Sequence, residues 1–222
     1  MSNIKKIITN DNSPTCFSET YQETYHSTSG AVEEDQKKFS DACKIKEFAA
    51  SHDEIYILDV CFGLGYNSAV AIDNILSANP NCKITIVGLE NDMAILDEIK
   101  DMNPDITSYP MFKKLVSNKA LCLDDKHIHI KILLGDAREK IKETKDISFN
   151  FCFLDPFSPK VCPELWTEEF FKDIYSVMAQ NSVLATYSCA RIVRDNLKKA
   201  GFEVKDGPIV GRRAPATIAA KG

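Results

Sequence analysis

Apolar residues follow two alternating spacings along most of the chain, and this alternation predicts strands separated by helices. Short, largely apolar runs predict seven strands, at residues 55–60, 83–89, 127–134, 148–155, 182–187, 202–205 and 216–220. Apolar residues three and four positions apart predict helices at residues 66–78, 93–102, 137–142, 167–178 and 190–199. Strands that alternate with helices in this way predict an α/β fold with a doubly wound, mainly parallel sheet.

The pattern changes in three places. The last two predicted strands are joined by a stretch too short for a helical crossover, which predicts an antiparallel closing strand. Residues 103–125 are less regular and predict an insertion that contains a short helix. Residues 10–53 precede the first sheet strand and are rich in hydroxyl and acidic side chains, so we expect residues 1–53 to be an N-terminal extension of a domain at residues 54–222.

Residues 57–67, Ile-Leu-Asp-Val-Cys-Phe-Gly-Leu-Gly-Tyr-Asn, form an apolar strand that runs into a Gly-x-Gly turn. Glycines at Gly63 and Gly65 allow backbone to approach a nucleotide-like ligand closely. The turn by itself is also typical of dinucleotide enzymes and of strand-to-helix turns that bind nothing. Ser68 stands where a dinucleotide motif has its third glycine, which favours S-adenosylmethionine (SAM) over NAD.

Three acids follow later strands. Glu90 ends the second predicted sheet strand, where an acid can accept hydrogen bonds from ribose hydroxyls. Asp136 follows the third strand and could meet an adenine amine, cap the helix that begins near Ala137, or do both. Asp155 follows the fourth strand and precedes Pro156, which restricts its backbone and holds it at the sheet edge where ligands bind. A simple turn at Asp155 is the alternative.

Composition narrows the class of protein. With 222 residues and 44% hydrophobic content, one substantial core is expected. No apolar run is long enough to cross a bilayer and no signal-peptide core is present, so we expect a cytoplasmic protein without membrane contact. The eight cysteines contain no Cys-x-x-Cys pair, which predicts reduced, mostly structural thiols and no metal site. A net charge of −5 means that any RNA contact requires a local basic patch.

Ordered blocks from residue 15 onward resemble the MnmC-type tRNA methyltransferase family. They begin with residues 18–34, Ser-Glu-Thr-Tyr-Gln-Glu-Thr-Tyr-His-Ser-Thr-Ser-Gly-Ala-Val-Glu-Glu, and continue with Phe-Gly-Leu-Gly-Tyr-Asn at 62–67 and Asp-Pro-Phe-Ser-Pro at 155–159. Further blocks are Glu-Leu-Trp-Thr at 164–167, Leu-Ala-Thr-Tyr-Ser at 184–188, Val-Arg-Asp-Asn-Leu at 193–197, Ala-Gly-Phe at 200–202 and Gly-Arg-Arg at 211–213. Cys61 stands where this family usually has glycine.

The resemblance implies a Rossmann-like, class I SAM-dependent methyltransferase with a seven-stranded sheet. It implies methylation of the 5-aminomethyl amine of the wobble uridine (U34) in the tRNA anticodon loop, giving 5-methylaminomethyl-(2-thio)uridine. It also implies a stand-alone enzyme without a fused FAD oxidase domain, so a separate enzyme would supply the aminomethyl intermediate. The implied SAM site comprises Tyr25, Ser27, Asp59, Gly63, Leu64, Gly65, Asn67, Glu90, Asp136, Ala137 and Asp155, with Asp155 also facing the amine.

Basic and aromatic residues provide candidate RNA contacts. Arginines could hold phosphates and aromatic rings could stack on a base turned out of the anticodon loop. The candidates are Phe157, Trp166, Tyr187, Arg191, Arg194, Arg212 and Arg213. For the helix that carries Arg191 and Arg194, a solvated face is the alternative, and for Trp166 the alternative is core packing. His26 is either a general base or a hydrogen-bonded structural histidine.

Two other functions are consistent with the sequence. One is methyl or aminopropyl transfer to a small amine such as a polyamine, because an acidic protein suits a cationic substrate. The other is a nucleotide-fold module that binds RNA or protein without catalysis. The presence of Asp155, Glu90 and the Gly-x-Gly turn together disfavours this second alternative.

Overall fold

A computed structural model describes residues 3–211 and 213–222 of the chain. The N-terminal part forms a small antiparallel sheet of three strands, β1 (Ile4–Ile8), β2 (Pro14–Ser18) and β3 (Glu23–Thr24). It continues into helix α1 (Ala31–Asp35), a π-helical segment (Gln36–Asp41) and helix α2 (Ile45–Ala49). The N-terminal part therefore has regular structure of its own before the main sheet begins.

The main sheet contains eight strands. They are β4 (Glu54–Val60), β5 (Lys83–Glu90), β6 (Cys122–Asp125), β7 (Ile128–Leu134), β8 (Phe149–Leu154), β9 (Met178–Thr186), β10 (Glu203–Asp206) and β11 (Thr217–Lys221). Their spatial order is β10-β11-β9-β8-β4-β5-β7-β6. The five central strands are parallel, whereas β6 pairs antiparallel with β7, and β11 pairs antiparallel with both β9 and β10.

Helices cover both faces of the main sheet. They are α3 (Tyr66–Ala78), α4 (Met93–Glu98), α5 (Tyr109–Ser117), α6 (Ala137–Lys140), α7 (Glu168–Val177) and α8 (Arg191–Lys199), with short 3-10 turns at Ile99–Asp101, Ile141–Thr144 and Pro163–Trp166. Alternate residues of β4 show the two layers, because Ile57 packs into the core that contains α3 and Leu58 into the core that contains α7. Burial on both faces explains why the parallel strands are almost continuously apolar.

The structure confirms the predicted α/β fold and the antiparallel closing strand, and it corrects the strand number. The main sheet has eight strands rather than seven because Cys122–Asp125 forms an additional edge strand within the predicted insertion. Two aspartates in this four-residue strand gave no apolar alternation, and its pairing depends on the neighbouring β7. The short helix expected in the insertion is α5.

The strand order determines where a ligand can bind. From β4 the chain proceeds to β5 on one side, and it returns later to β8 on the other side. A crevice therefore opens beyond the carboxyl ends of β4 and β8, at the switch in strand order where open α/β sheets bind ligands. Among the described residues, no helix combines the length and apolar character required to span a membrane.

Candidate active site

A cavity of about 530 Å³ opens at this switch point. Its walls come from the N-terminal part, from the loops that follow β4 and β5, and from the loop that follows β8. The wall residues are Phe17, Tyr21, Gln22, Glu23, Thr24, Tyr25, His26, Ser27, Glu34, Lys38, Cys61, Phe62, Gly63, Leu64, Tyr66, Asn67, Glu90, Asn91, Asp92, Asp155, Pro156, Phe157, Ser158, Cys162, Leu165, Tyr187 and Gly211. The volume lies in the usual range of small-molecule sites.

The turn after β4 forms one wall. Gly63 and Gly65 have φ of +54° and +74°, and Cys61 has φ of +64°, so all three occupy the left-handed region that favours glycine. A Cβ atom on Gly63 would lie 3.4 Å from the Tyr25 ring, and one on Gly65 would lie 2.8 Å from the Phe62 ring. The conformation at Cys61 explains why glycine suits this position in the resembling family.

Glu90 ties this turn to the end of β5. Its carboxylate accepts hydrogen bonds from the backbone N–H groups of Gly63 at 2.8 Å, Asn91 at 2.8 Å and Asp92 at 2.9 Å. Burial raises the pKa of Glu90 above its ordinary value, while these three hydrogen bonds favour the ionised form and limit the rise. The carboxylate lines the cavity and retains lone pairs that can accept hydroxyl groups from a ligand.

Asp155 lies at the carboxyl end of β8 and is half-buried in the cavity wall. Its backbone N–H donates to the Val60 carbonyl at 3.1 Å, which fixes it beside the end of β4. Asn67, near the start of α3, donates its side-chain amide to Asp155 Oδ2 at 3.1 Å. Burial, together with the negative charges of Glu34 and Asp59, raises the pKa of Asp155 well above its ordinary value, although the Asn67 hydrogen bond opposes the rise. Such a carboxylate is a stronger base than an exposed one.

The N-terminal part closes the cavity. Tyr25 packs over Gly63, and the Ser27 backbone N–H donates to Glu34 Oε2 at 2.6 Å. Glu23 accepts hydrogen bonds from the backbone N–H of Ser158, at 2.9 Å, and from the Ser158 hydroxyl. These contacts bring residues 23–34 against the loop that follows β8.

Asp59 lies beneath this wall and outside the cavity lining. It is fully buried, and its Oδ2 accepts a 2.6 Å hydrogen bond from the Ser68 hydroxyl. Burial raises the pKa of Asp59 to about 7, against the opposing effect of the Ser68 hydrogen bond. The side chain therefore joins β4 to α3, and in this structure it does not reach the space available to a ligand.

His26 has the structural environment that the sequence left as one alternative. Its Nδ1 hydrogen bonds with Thr15 Oγ1 at 2.7 Å, its Nε2 lies 3.6 Å from Asp35 Oδ2, and its ring stacks on Tyr66. Burial lowers the pKa of His26 to about 4, which keeps the imidazole neutral near pH 7. The same burial, reinforced by the charge of Asp155, raises the pKa of Asp35 well above its ordinary value.

Three further SAM candidates lie outside the cavity lining: Gly65, Asp136 and Ala137. Asp136 accepts a 2.9 Å hydrogen bond from the Arg138 backbone N–H and caps α6, and it also pairs with the Arg138 guanidinium at 2.5 Å. The hydrogen bonds from the Arg138 side chain lower the pKa of Asp136. The capping role anticipated for Asp136 is therefore present, and its contact with adenine stays a prediction.

The aromatic candidates differ in exposure. Phe157 lines the cavity and stacks on Tyr21 with ring centroids 4.6 Å apart, and Tyr187 lines the cavity while its hydroxyl donates to the Pro156 carbonyl at 2.9 Å. Trp166 is 2% exposed, and its Nε1 donates to the Phe157 carbonyl at 2.9 Å. The ring of Trp166 has the core-packing environment that the sequence left as the alternative, and it supports the loop that carries Phe157; its stacking on a base stays a prediction.

The arginine candidates for RNA contact also differ in exposure and in their hydrogen bonds. The Arg191 side chain is 95% exposed, and Arg213 is exposed as well. Arg194 instead points back onto the sheet and donates to Thr217 Oγ1 at 3.0 Å, to Asp206 Oδ1 at 2.6 Å and to a backbone carbonyl. A phosphate would have to compete with these partners, so Arg194 is chiefly a structural residue. Arg212 lies outside the described residues.

The thiols and metal-binding groups lie mostly away from the cavity. All eight cysteines are free in this structure, and five of them are buried. Three potential metal-ligating side chains, Cys122, Asp124 and His129, cluster on the β6–β7 edge with ligand atoms within 4.8 Å of one another. His129 Nδ1 already pairs with Asp124 Oδ1 at 2.5 Å, which accounts for their proximity without an ion.

The donor and acceptor groups around the cavity fit SAM. Asn67 Oδ1 is buried without a hydrogen-bond partner among the described residues, and Asp155 Oδ1 accepts no hydrogen bond from them. The free Asp155 oxygen suits a ligand that carries N–H groups and positive charge. The close approach of backbone at Gly63 and the acid Glu90 suit an adenosine, as in other nucleotide folds.

The parallel sheet, the glycine turn and the carboxylates at the switch point define the class as a SAM-dependent methyltransferase of the Rossmann-like type. A family model described as an S-adenosyl-L-methionine-dependent methyltransferase matches residues 100–222, more than half of the chain. The solved structure of MnmC2 from Aquifex aeolicus is similar to this chain at 33% identity and a TM-score of 0.87, covering 99% of this chain and 70% of that one. The chain belongs to the MnmC-type family of SAM-dependent methyltransferases.

Two further relatives and one further solved structure are similar to this chain. The uncharacterized protein MJ0670 of Methanocaldococcus jannaschii is 32% identical over 96% of this chain, which spans 58% of that protein. The bifunctional MnmC protein of tRNA 5-methylaminomethyl-2-thiouridine biosynthesis from Actinobacillus pleuropneumoniae is 26% identical over 90% of this chain. This chain spans only 32% of that bifunctional protein. Spermidine synthase of Thermotoga maritima shares the fold, with a TM-score of 0.60 at 14% identity.

The cavity contains charged residues that sequence analysis did not identify as site residues, above all Glu34, Lys38 and Glu23. Glu23 and Glu34 lie within the N-terminal block that resembles the family, so a signal was present. Lys38 follows that block without a motif. Helical spacing could not show which of these side chains face inward, because the orientation depends on how the N-terminal part packs against β4 and β8.

Proposed function

We propose that this protein transfers a methyl group from SAM to the amine of the 5-aminomethyl group on the wobble uridine of tRNA. The product would be 5-methylaminomethyluridine or its 2-thio form. The supporting observation is the pairing of Asp155 with Asn67 in the wall of the cavity at the sheet switch point. The similarity to proteins named for 5-methylaminomethyl-2-thiouridine biosynthesis supports the choice of nucleoside.

Asp155 is the proposed catalytic residue. A primary amine is mostly protonated near neutral pH and cannot attack a methyl group until it loses a proton. Asp155 has an unused oxygen and a raised pKa, so it can accept a hydrogen bond from the ammonium and take its proton. Asn67 donates its side-chain amide to the other oxygen, Asp155 Oδ2, and so fixes the orientation of the carboxylate.

The proposed SAM site follows the geometry of the turn and of the N-terminal part. SAM supplies a methyl group already activated on a sulfonium, so the protein contributes positioning and exclusion of water. Glu90 would accept the ribose hydroxyls, and Gly63 and Leu64 would provide the close backbone wall. Tyr25 and Ser27, from the proposed N-terminal extension at residues 1–53, would cover the site.

The proposed RNA surface surrounds the cavity mouth. The target base would have to leave the anticodon stack to reach Asp155, and Phe157 and Tyr187 offer apolar surface on that path. Two exposed cations, Arg191 at the N-terminal end of α8 and Arg213 in the C-terminal part, can contact phosphates. These are the proposed local basic contacts on a chain whose net charge is −5.

The test is transfer of labelled methyl from SAM to tRNA isolated from cells that lack this protein, followed by nucleoside mass analysis. We expect the label in 5-methylaminomethyluridine or its 2-thio form. The matched control is the same tRNA after acetylation of its primary amines, which should accept no label. Label on another nucleoside, or label on spermidine but not on tRNA in a parallel reaction, would refute the proposed substrate.

A further inference from the structure

Lys38 is a buried cation in the cavity wall. It lies in the π-helical segment Gln36–Asp41, one turn after Glu34, and only 3% of the residue is exposed. Its ammonium forms an ion pair with the Glu34 carboxylate, which in turn accepts the Ser27 backbone N–H. π-helical segments are rare and often occur at functional sites.

Lys38 is the only lysine or arginine among the described residues that line the cavity. The other ionisable groups of the wall that carry charge are carboxylates: Glu23, Glu34, Glu90, Asp92 and Asp155. His26 is neutral because burial lowers its pKa to about 4. The wall therefore favours positive groups of a ligand and offers one cation for a negative group.

The hydrogen-bonding capacity of Lys38 is not filled. An ammonium has three N–H donors, and among the described residues only Glu34 accepts one from Lys38. A buried N–H donor without an acceptor is costly, so a ligand acceptor for the remaining N–H groups of Lys38 would lower the free energy of the site. The chemistry required of that acceptor is an anion, because a charged acceptor makes the strongest hydrogen bond with an ammonium.

We propose that Lys38 binds the carboxylate of the methionine portion of SAM and thereby selects SAM over decarboxylated SAM. This inference rests on the SAM site of the proposed function. The two molecules share the adenosine, the sulfonium and the amine, and they differ by one carboxylate. The carboxylates of the wall attract the shared positive groups in both molecules, whereas Lys38 interacts favourably only with the group that differs.

The choice between SAM and decarboxylated SAM determines which group the protein can transfer. Decarboxylated SAM is the donor for aminopropyl transfer, and the spermidine synthase fold is similar to this one. A cation at residue 38 favours the methyl donor over the aminopropyl donor within a common fold. Lys38 is thus a specificity residue for the donor, distinct from Asp155, which is assigned to the acceptor amine.

Isothermal titration calorimetry with SAM and with decarboxylated SAM tests the inference. The wild type should bind SAM about 10- to 100-fold more tightly, as expected for a hydrogen bond between charged groups. Lys38→Met should remove this preference by weakening SAM binding while changing the affinity for decarboxylated SAM less than about threefold. Lys37→Met, at the neighbouring exposed lysine, should retain the preference.

Two variants separate recognition from folding. Lys38→Met leaves Glu34 without its partner, so the double variant Glu34→Gln/Lys38→Met removes both charges and should also lack the preference. Lys38→Arg should restore it. A preference for SAM that survives in a folded Lys38→Met protein, or an equal loss of affinity for both molecules, would overturn the inference.

The tRNA assay keeps the two proposals distinguishable. Loss of preference in Lys38→Met, with no methyl transfer to tRNA by the wild type, would support the role of Lys38 and refute the tRNA substrate. Methyl transfer to tRNA by the wild type, with an undiminished preference in Lys38→Met, would support the tRNA substrate and refute the role of Lys38.

Discussion

Replacement of Asp59 by asparagine should change how the stability of the protein depends on pH. Asp59 is fully buried at the end of β4, with one oxygen bonded to Ser68 and the other without a partner. Burial raises its pKa from 3.8 to about 7 in the folded protein. The folded state therefore binds a proton at Asp59 more strongly than the unfolded state does, and ionisation of this group opposes folding.

The pKa values of Asp59 in the folded and unfolded states determine how its contribution to stability changes with pH. The stabilising contribution of Asp59 is complete below the unfolded pKa of 3.8 and is lost as the pH rises through about 7. A difference of about three pKa units corresponds to about 4 kcal/mol in total. Between pH 5 and pH 8 the wild type should therefore lose about 2 to 3 kcal/mol relative to Asp59→Asn.

Urea unfolding of both proteins at several pH values measures this difference. Asparagine introduces its own hydrogen-bond mismatch beside Ser68, but that offset is independent of pH, so the slope of the difference is the informative quantity. SAM binding should persist in Asp59→Asn, because Asp59 does not line the cavity. A difference between the two proteins that stays constant from pH 5 to pH 8 would refute the assigned ionisation.

Three other substitutions test separate parts of the structure. Gly65→Ala should lower the free energy of unfolding by about 3 kcal/mol, since φ is +74° and a Cβ would lie 2.8 Å from the Phe62 ring. A Gly65→Ala protein as stable as the wild type would contradict this expectation. Arg194→Met should lower the free energy of unfolding, measured in urea, by about 2 kcal/mol, because Arg194 is bonded to the sheet. Arg191→Met should leave stability unchanged and weaken tRNA binding severalfold in a filter-binding assay, because Arg191 is exposed. The reverse pattern would refute the structural role of Arg194 and the RNA contact of Arg191. Trp166→Phe should cost about 1 kcal/mol of stability and reduce methyl transfer by loosening the loop that it supports, and unchanged turnover would argue against that support.

Helices and strands whose structure is determined by local sequence pattern could be predicted from the sequence. The helix predicted at residues 66–78 has those bounds in the structure, where Gly65 precedes it in the left-handed conformation and residues 66–72 are all buried. The central strands were equally clear, since burial on both faces makes them continuously apolar. Asp155 was placed correctly at a strand end, because the order of the strands alone brings that end to the switch point.

The short strands and the orientations of several side chains depend on long-range packing and could not be predicted from the sequence. Strands β1 to β3 and β6 are short and pair with partners that local sequence does not identify. The inward orientation of Glu34 and Lys38 arises from docking of the N-terminal part, which helical spacing does not encode. Trp166 and Arg194 matched surface motifs in the sequence, yet the structure directs them to internal hydrogen bonds.

The most direct test of the central proposal compares Asp155→Asn with Asp146→Asn in methyl transfer to tRNA containing 5-aminomethyluridine. Asp155→Asn should bind SAM normally and form 5-methylaminomethyluridine about 10²- to 10⁴-fold more slowly, as expected for loss of a general base. Asp146→Asn, which alters an exposed aspartate before the amino end of β8 and outside the cavity lining, should retain most activity. Formation of 5-methylaminomethyluridine at the wild-type rate by Asp155→Asn would contradict the proposed mechanism.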